Sequence, residues 1–357
     1  MNDRIPTPTS AVRVAPRIRR FSPASVVGLA VMAALVVLLA VMPYLVPLGT
    51  SYQLIDLFVY VILATSWNLL AGFGGMVSIG QQAYIGLGAY GIVVFADLLG
   101  LSPLLSIPVV ALVAALVAIP ISYAAFRLVG GYFAVGTWVI AEICRLVTVQ
   151  FPQVGAGSGI SLQSMNDAFG DRALRIAVGY WAGLVCAVVV IAAVVLLARS
   201  RIGLALTAVR DEPIAAATSG VNVVVAKRIV FVVAAAAAGL AGALIPISTG
   251  SVQPGSVYSV QWSAFMIFIV IIGGIGSIEG PIIGAVIFWV LKIVLADYGA
   301  AYLIGLGVLG VVMVLAAPGG IWGLITMRRR LHLFPIGYRL ARRVGAEPPG
   351  ALGGPVR

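Results

Sequence analysis

Residues 68–91 read NLLAGFGGMVSIGQQAYIGLGAYG, with glycine at 72, 74, 75, 80, 86, 88 and 91 and a cluster of amide and hydroxyl side chains, between two long apolar runs. Glycine inside a helix costs roughly 1 kcal/mol relative to alanine, and the adjacent glycines at 72, 74 and 75 suit an interrupted helix. The flanking runs decide the medium in which the interruption sits. The chain is 62% hydrophobic and 9% charged, with a mean hydropathy of +1.13, whereas soluble domains carry about 25% charged residues. Apolar runs close to the roughly 20 residues that cross hydrocarbon as a helix recur along nearly the whole length. They are apolar on every face, unlike the short alternating segments of a membrane barrel. The expectation is an all-α, polytopic transmembrane protein with a broken helix. Irregular backbone at membrane depth is tolerated only where protein buries it or water wets it, which places the break in the interior.

After the break, Gln81, Tyr84, Gly88 and Gly91 fall on one helix face. Together with Asn68, Ser78 and Gln82 they offer polar groups beside small residues, as a path for a polar solute would. The same groups also suit hydrogen bonds from helix to helix.

The apolar runs predict spans near 24–47, 53–71, 75–97, 103–127, 131–151, 176–198, 229–249, 258–275, 281–297 and 300–325, about ten helices. Basic residues set their orientation. Arg4, Arg13, Arg17, Arg19 and Arg20 precede the first run; Arg199, Arg201, Arg210, Lys227 and Arg228 share one central loop; and residues 328–357 hold seven more arginines. Lys and Arg concentrate in cytoplasmic loops, so all three regions are expected on that side, which requires an even number of spans. Membrane orientation accounts for the basic tails, and no nucleic acid is needed to explain them. The resulting organisation is a cytoplasmic tail (1–23), a membrane domain (24–326) and a second cytoplasmic tail (327–357). The run from 24 to 46 exceeds a signal-peptide core and lacks a small-residue cleavage site, which favours an uncleaved first helix.

The longest outer segment, 152–175, is rich in Gly, Ser, Asn and Asp and favours turns over a packed core; it suits a gate, a docking surface or a solvated connector. The longest inner loop, 199–228, is charged. Asp211 and Glu212 stand before Pro213, a pattern suited to a helix N-terminus, and Gly220 suits the stop. This short helix fits either an amphipathic connector or a docking element for a soluble partner.

Nucleotide and enzyme chemistry is missing. The two lysines, Lys227 and Lys292, complete no G-x-x-x-x-G-K-[ST] loop. The single histidine, His332, lies in the basic tail, which removes His-based dyads and a zinc site from the membrane core. No cofactor or metal is expected. Cys144 and Cys186 lie in apolar runs and read as small hydrophobes. Ionisable residues in the spans are Asp56, Asp97, Glu142, Arg145, Glu279, Lys292 and Asp297. The three aspartates fall near helix ends, where water reaches them. Glu142 and Arg145, three apart, share a face as an intramembrane ion pair, which either ties helices together or serves a gate. Gly276, Gly280 and Gly284, spaced four apart, read as a small-residue packing stripe. A faint internal echo links GGMVSIG at 74–80 with GGIGSIEG at 273–280, as in transporters with internal repeats.

Taken together, six motifs carry a resemblance: SWNLLAGFGGMVSIGQQAYIGLGAY, GGYFAVGTWVIAEICRLV, GAGSGISL, SRIGLALTAVRDEPIAAATSGVNV, GGIGSIEGPIIGA and APGGIWGL, in order from about residue 52 to 324. The chain resembles the permease subunits of branched-chain amino acid ABC transporters, the LivH/LivM family, and is closer to the LivM type. The resemblance implies an inner-membrane importer subunit paired with a second, LivH-like permease. Two P-loop ATPase subunits of the LivG/LivF type would drive it, and a periplasmic solute-binding protein would deliver a small polar solute. It also implies that the loop after Arg199 is the ATPase-coupling helix, with Arg210, Asp211, Glu212, Ala215, Ala216 and Gly220 in that element. Pro213 departs from the family pattern, as does Gln81, where a His or similar residue is commoner. The second departure leaves the solute open among Leu, Ile, Val, urea and short amides. A self-sufficient carrier or channel for such solutes is the rival reading.

Overall fold

A computed structural model describes residues 18–19, 23–295, 298–299, 301–317, 319–329 and 339–340. Most of the two basic tails, His332 and Asp297 lie outside the described residues. The fold is helical: α1 (Pro23–Leu45), α2 (Leu48–Asn68), α3 (Gln82–Ile92), α4 (Pro103–Ala125), α5 (Gly131–Val149), α6 (Gln163–Phe169), α7 (Arg172–Arg199), α8 (Arg201–Asp211), α9 (Pro213–Thr218), α10 (Val223–Thr249), α11 (Pro254–Val257), α12 (Gln261–Gly273), α13 (Glu279–Val294), α14 (Ala301–Ala316) and α15 (Gly320–Arg329). Strands among the described residues are four two-residue pieces, β1 (Ile18–Arg19) paired with β4 (Arg339–Leu340) and β2 (Ile160–Ser161) paired with β3 (Ser251–Val252).

Each expected apolar run contains a helix, and seven helices among the described residues are long and apolar enough to cross a membrane. The apolar stretch Gln82–Leu98 is shorter, and α13 has 16 residues. The expected count of about ten is therefore not met on length alone, because the glycine breaks shorten the helices that flank them.

The run Leu48–Phe73 is the centre of the bundle, with 94% of its apolar window buried. Around it pack α7, α10, α12 and α13. α10 presents a face of Ala234, Ala235, Ala238, Ala241 and Gly242, and it lies against α3 with backbones touching. A Cβ on Gly88 would stand 2.2 Å from the Gly239 carbonyl oxygen, and one on Gly242 would stand 2.1 Å from that of Ile85. Small residues at such crossings let helices approach until dispersion contacts form along the backbone itself.

Two ends of the bundle are knitted separately. At one end the Asp97 carboxylate accepts hydrogen bonds from the amides of Gln163 (3.2 Å) and Ser164 (3.0 Å), the start of α6. There the Leu162 amide donates to the Gly250 carbonyl at 2.9 Å, extending the β2–β3 pairing. The outer segment thus corrects the expectation of turns without a packed core. Turns are present at Gly155 and Gly159, both with positive φ, but Leu162 and Met165 are fully buried. At the other end, Ser200 caps α8, its Oγ accepting from the Ile202 and Gly203 amides. Asn222 caps α10 through Val225 N–H at 3.0 Å, so that helix begins at Val223, earlier than the expected 229. The extra turns carry Arg228, whose Nε donates to Ser122 Oγ on α4 at 3.0 Å and whose guanidinium lies 3.8 Å from the Tyr123 ring centre.

Candidate functional site: the paired glycine loops

α2 ends in a π-helical turn, Leu69–Phe73, with Gly74 N–H bonded to Leu69 O at 3.1 Å. Such turns inside helices accompany functional sites often. The chain then turns at Gly75 (φ 65°) and runs without helix to Gln81, the residue before α3. The break, expected near 72–75, therefore occupies 74–81. It lies against a candidate membrane span: Ile79 N–H donates to Thr137 Oγ1 at 3.2 Å, and Thr137 stands six residues, about 9 Å, along α5 from its first residue.

The second loop, between α12 and α13, meets the first. A Cβ on Gly72 would sit 2.6 Å from the Gly276 nitrogen. Adjacent residues at the end of α2 hold both loops: Trp67 Nε1 donates to Ser78 O at 2.8 Å, and Asn68 Nδ2 donates to Ser277 O at 2.7 Å. Asn68 Oδ1 also accepts from Gly276 N–H at 2.8 Å. In each loop the serine hydroxyl accepts an amide two or three residues on, Ser78 from Gly80 just before α3 (3.2 Å) and Ser277 from Gly280 in the first turn of α13 (3.0 Å). The sequence echo between 74–80 and 273–280 thus has a local structural counterpart.

This arrangement corrects the packing stripe. Gly276 has φ 80° and precedes α13; it serves the turn, where only glycine is unstrained. Gly280 and Gly284 do pack, against α12: their Cβ atoms would stand 3.0 Å from the Gly273 carbonyl carbon and 2.1 Å from the Ile269 carbonyl oxygen.

The polar residues of the break divide into two sets. Asn68, Ser78 and Gln82 are buried and bonded, Gln82 Oε1 accepting from Ser263 Oγ at 2.5 Å. Gln81 and Tyr84 are buried at 0% and 2% exposure, and among the described residues their amide and hydroxyl atoms have no hydrogen-bond partner; Thr65 Oγ1 and the Tyr90 hydroxyl share that condition. A buried polar group without a partner costs about 1–3 kcal/mol. The face bearing Gln81, Tyr84, Gly88 and Gly91 is packed: Tyr84 meets Phe231 edge-on at 5.9 Å between ring centres, Gly88 faces Gly239, and Gly91 faces Val110.

The inner helices adjoin the same loops. The Arg210 guanidinium donates to Gly72 O at 2.9 Å. Asp211 closes α8 rather than opening the next helix, and Glu212 precedes α9 without a side-chain cap. α9 ends before Gly220, which has φ 85°. Ala216 is buried, while Ile214 is 76% exposed and Ala215 is exposed.

Glu142 and Arg145 meet on α5, Arg145 Nε and Nη2 donating to Glu142 Oε1 at 2.9 and 2.5 Å. Their side chains remain 45% and 32% exposed. Sequence reasoning missed a second ionic contact: Lys292 Nζ lies 3.2 Å from Asp56 Oδ2 and 2.6 Å from the Tyr60 hydroxyl. Two opposite charges in spans without a local partner were the available signal. It also missed Ser263 and the inward course of Arg210, for which the sequence holds no local pattern. Among the described residues no group of three His, Cys, Asp or Glu is placed to hold a metal.

Comparison with known proteins agrees with this architecture. The chain is 27% identical to the high-affinity branched-chain amino acid transport system permease protein LivM of Escherichia coli over 81% of its length and 74% of that protein. The Salmonella typhimurium LivM matches at 27% over 81% of this chain and 73% of its own. A probable branched-chain amino acid transport permease protein LivH of Methanocaldococcus jannaschii matches at 27% over 74% of this chain and 88% of its own. No solved structure matches significantly. A family profile described as "branched-chain amino acid transport system / permease component" covers residues 49–317, so the chain belongs to that family and is a multi-pass permease subunit of an ABC importer.

Proposed function

We propose that the chain forms one half of the membrane path of an importer for branched-chain amino acids or a related small polar solute. It sits in a bacterial inner membrane with both basic tails (1–23 and 327–357) in the cytoplasm, as the Lys/Arg distribution supports. The membrane domain spans 24–326. Two P-loop ATPase subunits dock on α9 and its flanking acids Asp211 and Glu212. A periplasmic binding protein delivers the solute to the outer end, which segment 152–175 covers. The observation that carries this reading is the seat of α8: it packs against the π-helical turn that ends the most buried span, and α9 continues directly from it. A partner that moves α9 thereby acts on the interior of the bundle.

Within the path, Asn68, Ser78 and Gln82 brace the break, and Gln81 and Tyr84 present the groups that meet the solute when the packed face opens. Their lack of partners in this conformation supports that division. The second permease packs on α5. Only 17% of the α5 apolar window is buried, and beside exposed Val139, Ile143 and Leu146 its open side bears the Glu142–Arg145 pair, whereas the similarly open span Leu303–Thr326 exposes Ile304, Val308 and Leu315 and holds no charged residue. Charge in hydrocarbon is costly, so a protein neighbour suits α5 and lipid suits α14. Glu142 and Arg145 then stand at the contact between the two permeases.

The test is co-purification from cells that express the neighbouring transport subunits. P-loop ATPases accompany the wild-type chain, and Glu212→Arg strips them and abolishes leucine uptake. Uptake that persists in Glu212→Arg and collapses with the ion gradient instead establishes a self-sufficient carrier.

A further inference from the structure

Arg210 lies one residue from the start of the segment assigned to ATPase docking, yet its side chain runs the other way. Its Cγ would be 3.7 Å from a Cβ on Gly75, and its Nη1 would be 3.2 Å from a Cβ on Gly276. It therefore passes between two glycines of different loops, both with left-handed φ (65° and 80°), and ends on Gly72 O at 2.9 Å. The last carbonyls of a helix have no intrahelical donor, and a cation is favoured there by the helix dipole. Arg210 supplies both to the end of the central span. Its own base is stiff. Leu206 and Val209 on α8 are each 1% exposed, and a Cβ on Gly203 would come within 2.1 Å of Ala198 O, so α8 is pressed onto the end of α7. α9 continues from it through Glu212 N–H on Ala208 O at 3.0 Å and Ala216 N–H on Glu212 O at 3.0 Å.

We propose that Arg210 is the positioning residue that transmits nucleotide-driven movement of α8–α9 to the paired glycine loops, acting as a strut through its guanidinium on Gly72 O and not as an ATPase contact. This rests on the reading of α9 as the docking helix. A long, flat, multi-donor side chain is suited to the task, since it bonds a carbonyl while its stem fills the slot that two glycines leave. A lysine keeps the charge and most of the stem but offers a compact donor. It restores the link only in part.

The experiment follows loop movement without needing the solute. In the complex with its ATPase subunits, Val77, which is 51% exposed in the first loop, is replaced by cysteine in a Cys144→Ala, Cys186→Ala background. Its labelling by a membrane-impermeant maleimide is timed without nucleotide and with ATP plus vanadate. The expected result is a change of about threefold or more between the two states with Arg210. With Arg210→Ala the ratio falls to about one, and with Arg210→Lys it is intermediate, while the amount of co-purified ATPase stays that of the parent. An Arg210→Ala protein that keeps the parent's nucleotide response overturns the proposal. So does a parent whose loop ignores nucleotide, or an Arg210→Ala protein that loses its ATPases, which makes Arg210 a docking residue. A parent that binds no ATPase at all defeats the docking reading itself, and is told apart by the Glu212→Arg control.

Discussion

Replacing Asn68 with alanine removes two hydrogen bonds at once, the donation to Ser277 O (2.7 Å) and the acceptance from Gly276 N–H (2.8 Å). Interhelical hydrogen bonds in membranes average only about 0.6 kcal/mol where the loosened helix finds other partners. That average is the wrong reference here. Gly276 and Ser277 precede α13 in a turn with φ 80° at Gly276, so no helix takes up the freed backbone groups. Each carries the cost of a buried group left unpaired, about 1–3 kcal/mol. Because both are only part-buried, the lower half of the summed range applies, about 2–4 kcal/mol. Reversible unfolding of the purified chain in mixed micelles, titrated with a denaturing detergent, reads this directly. Asn68→Leu separates hydrogen bonding from lost packing volume, since it roughly conserves volume while deleting both bonds; its loss should stay above about 2 kcal/mol. A loss below about 0.6 kcal/mol for both variants refutes the claim that Asn68 holds the two loops together.

Tyr84→Phe and Gln81→Leu delete buried groups that have no partner, so unfolding should be unchanged or harder by up to about 1–3 kcal/mol while uptake falls; lower stability in both would show that these groups are bonded. Gly88→Ala and Gly242→Ala drive a Cβ to within 2.2 and 2.1 Å of a facing carbonyl and should each cost about 1–3 kcal/mol or more, whereas Gly305→Ala, with nothing within 4 Å, should be neutral or stabilising by up to about 1 kcal/mol. Lys292→Met leaves Asp56 without the cation 3.2 Å away, and the melting temperature should drop more than in the double variant Asp56→Asn, Lys292→Met; equal drops would mean the pair does not couple.

Much of the fold was legible because hydropathy acts over whole helices, and every expected apolar run contains one. Boundaries were less so where a single cap decides them: Asn222 starts α10 ahead of the apolar run, and Asp211 belongs to α8 although it stands beside Glu212. The break at 74–81 was announced by its glycines, but not its partner. Asn68 and Ser277 are 209 residues apart, Lys292 and Asp56 are 236 apart, and no local period records either meeting. For the same reason the sequence could not separate Gln82, which bonds Ser263 181 residues away, from its neighbour Gln81, whose amide has no partner. Gly276 was misassigned because four-residue spacing implies a stripe only if the helix has already begun.

Trp67 and Asn68 are consecutive, and each holds the serine carbonyl of a different loop. A twist of the last turn of α2 is therefore expected to reach both loops at once. Both loops are thereby tied to one turn of one helix, so a change at that turn is felt by two segments some two hundred residues apart in sequence.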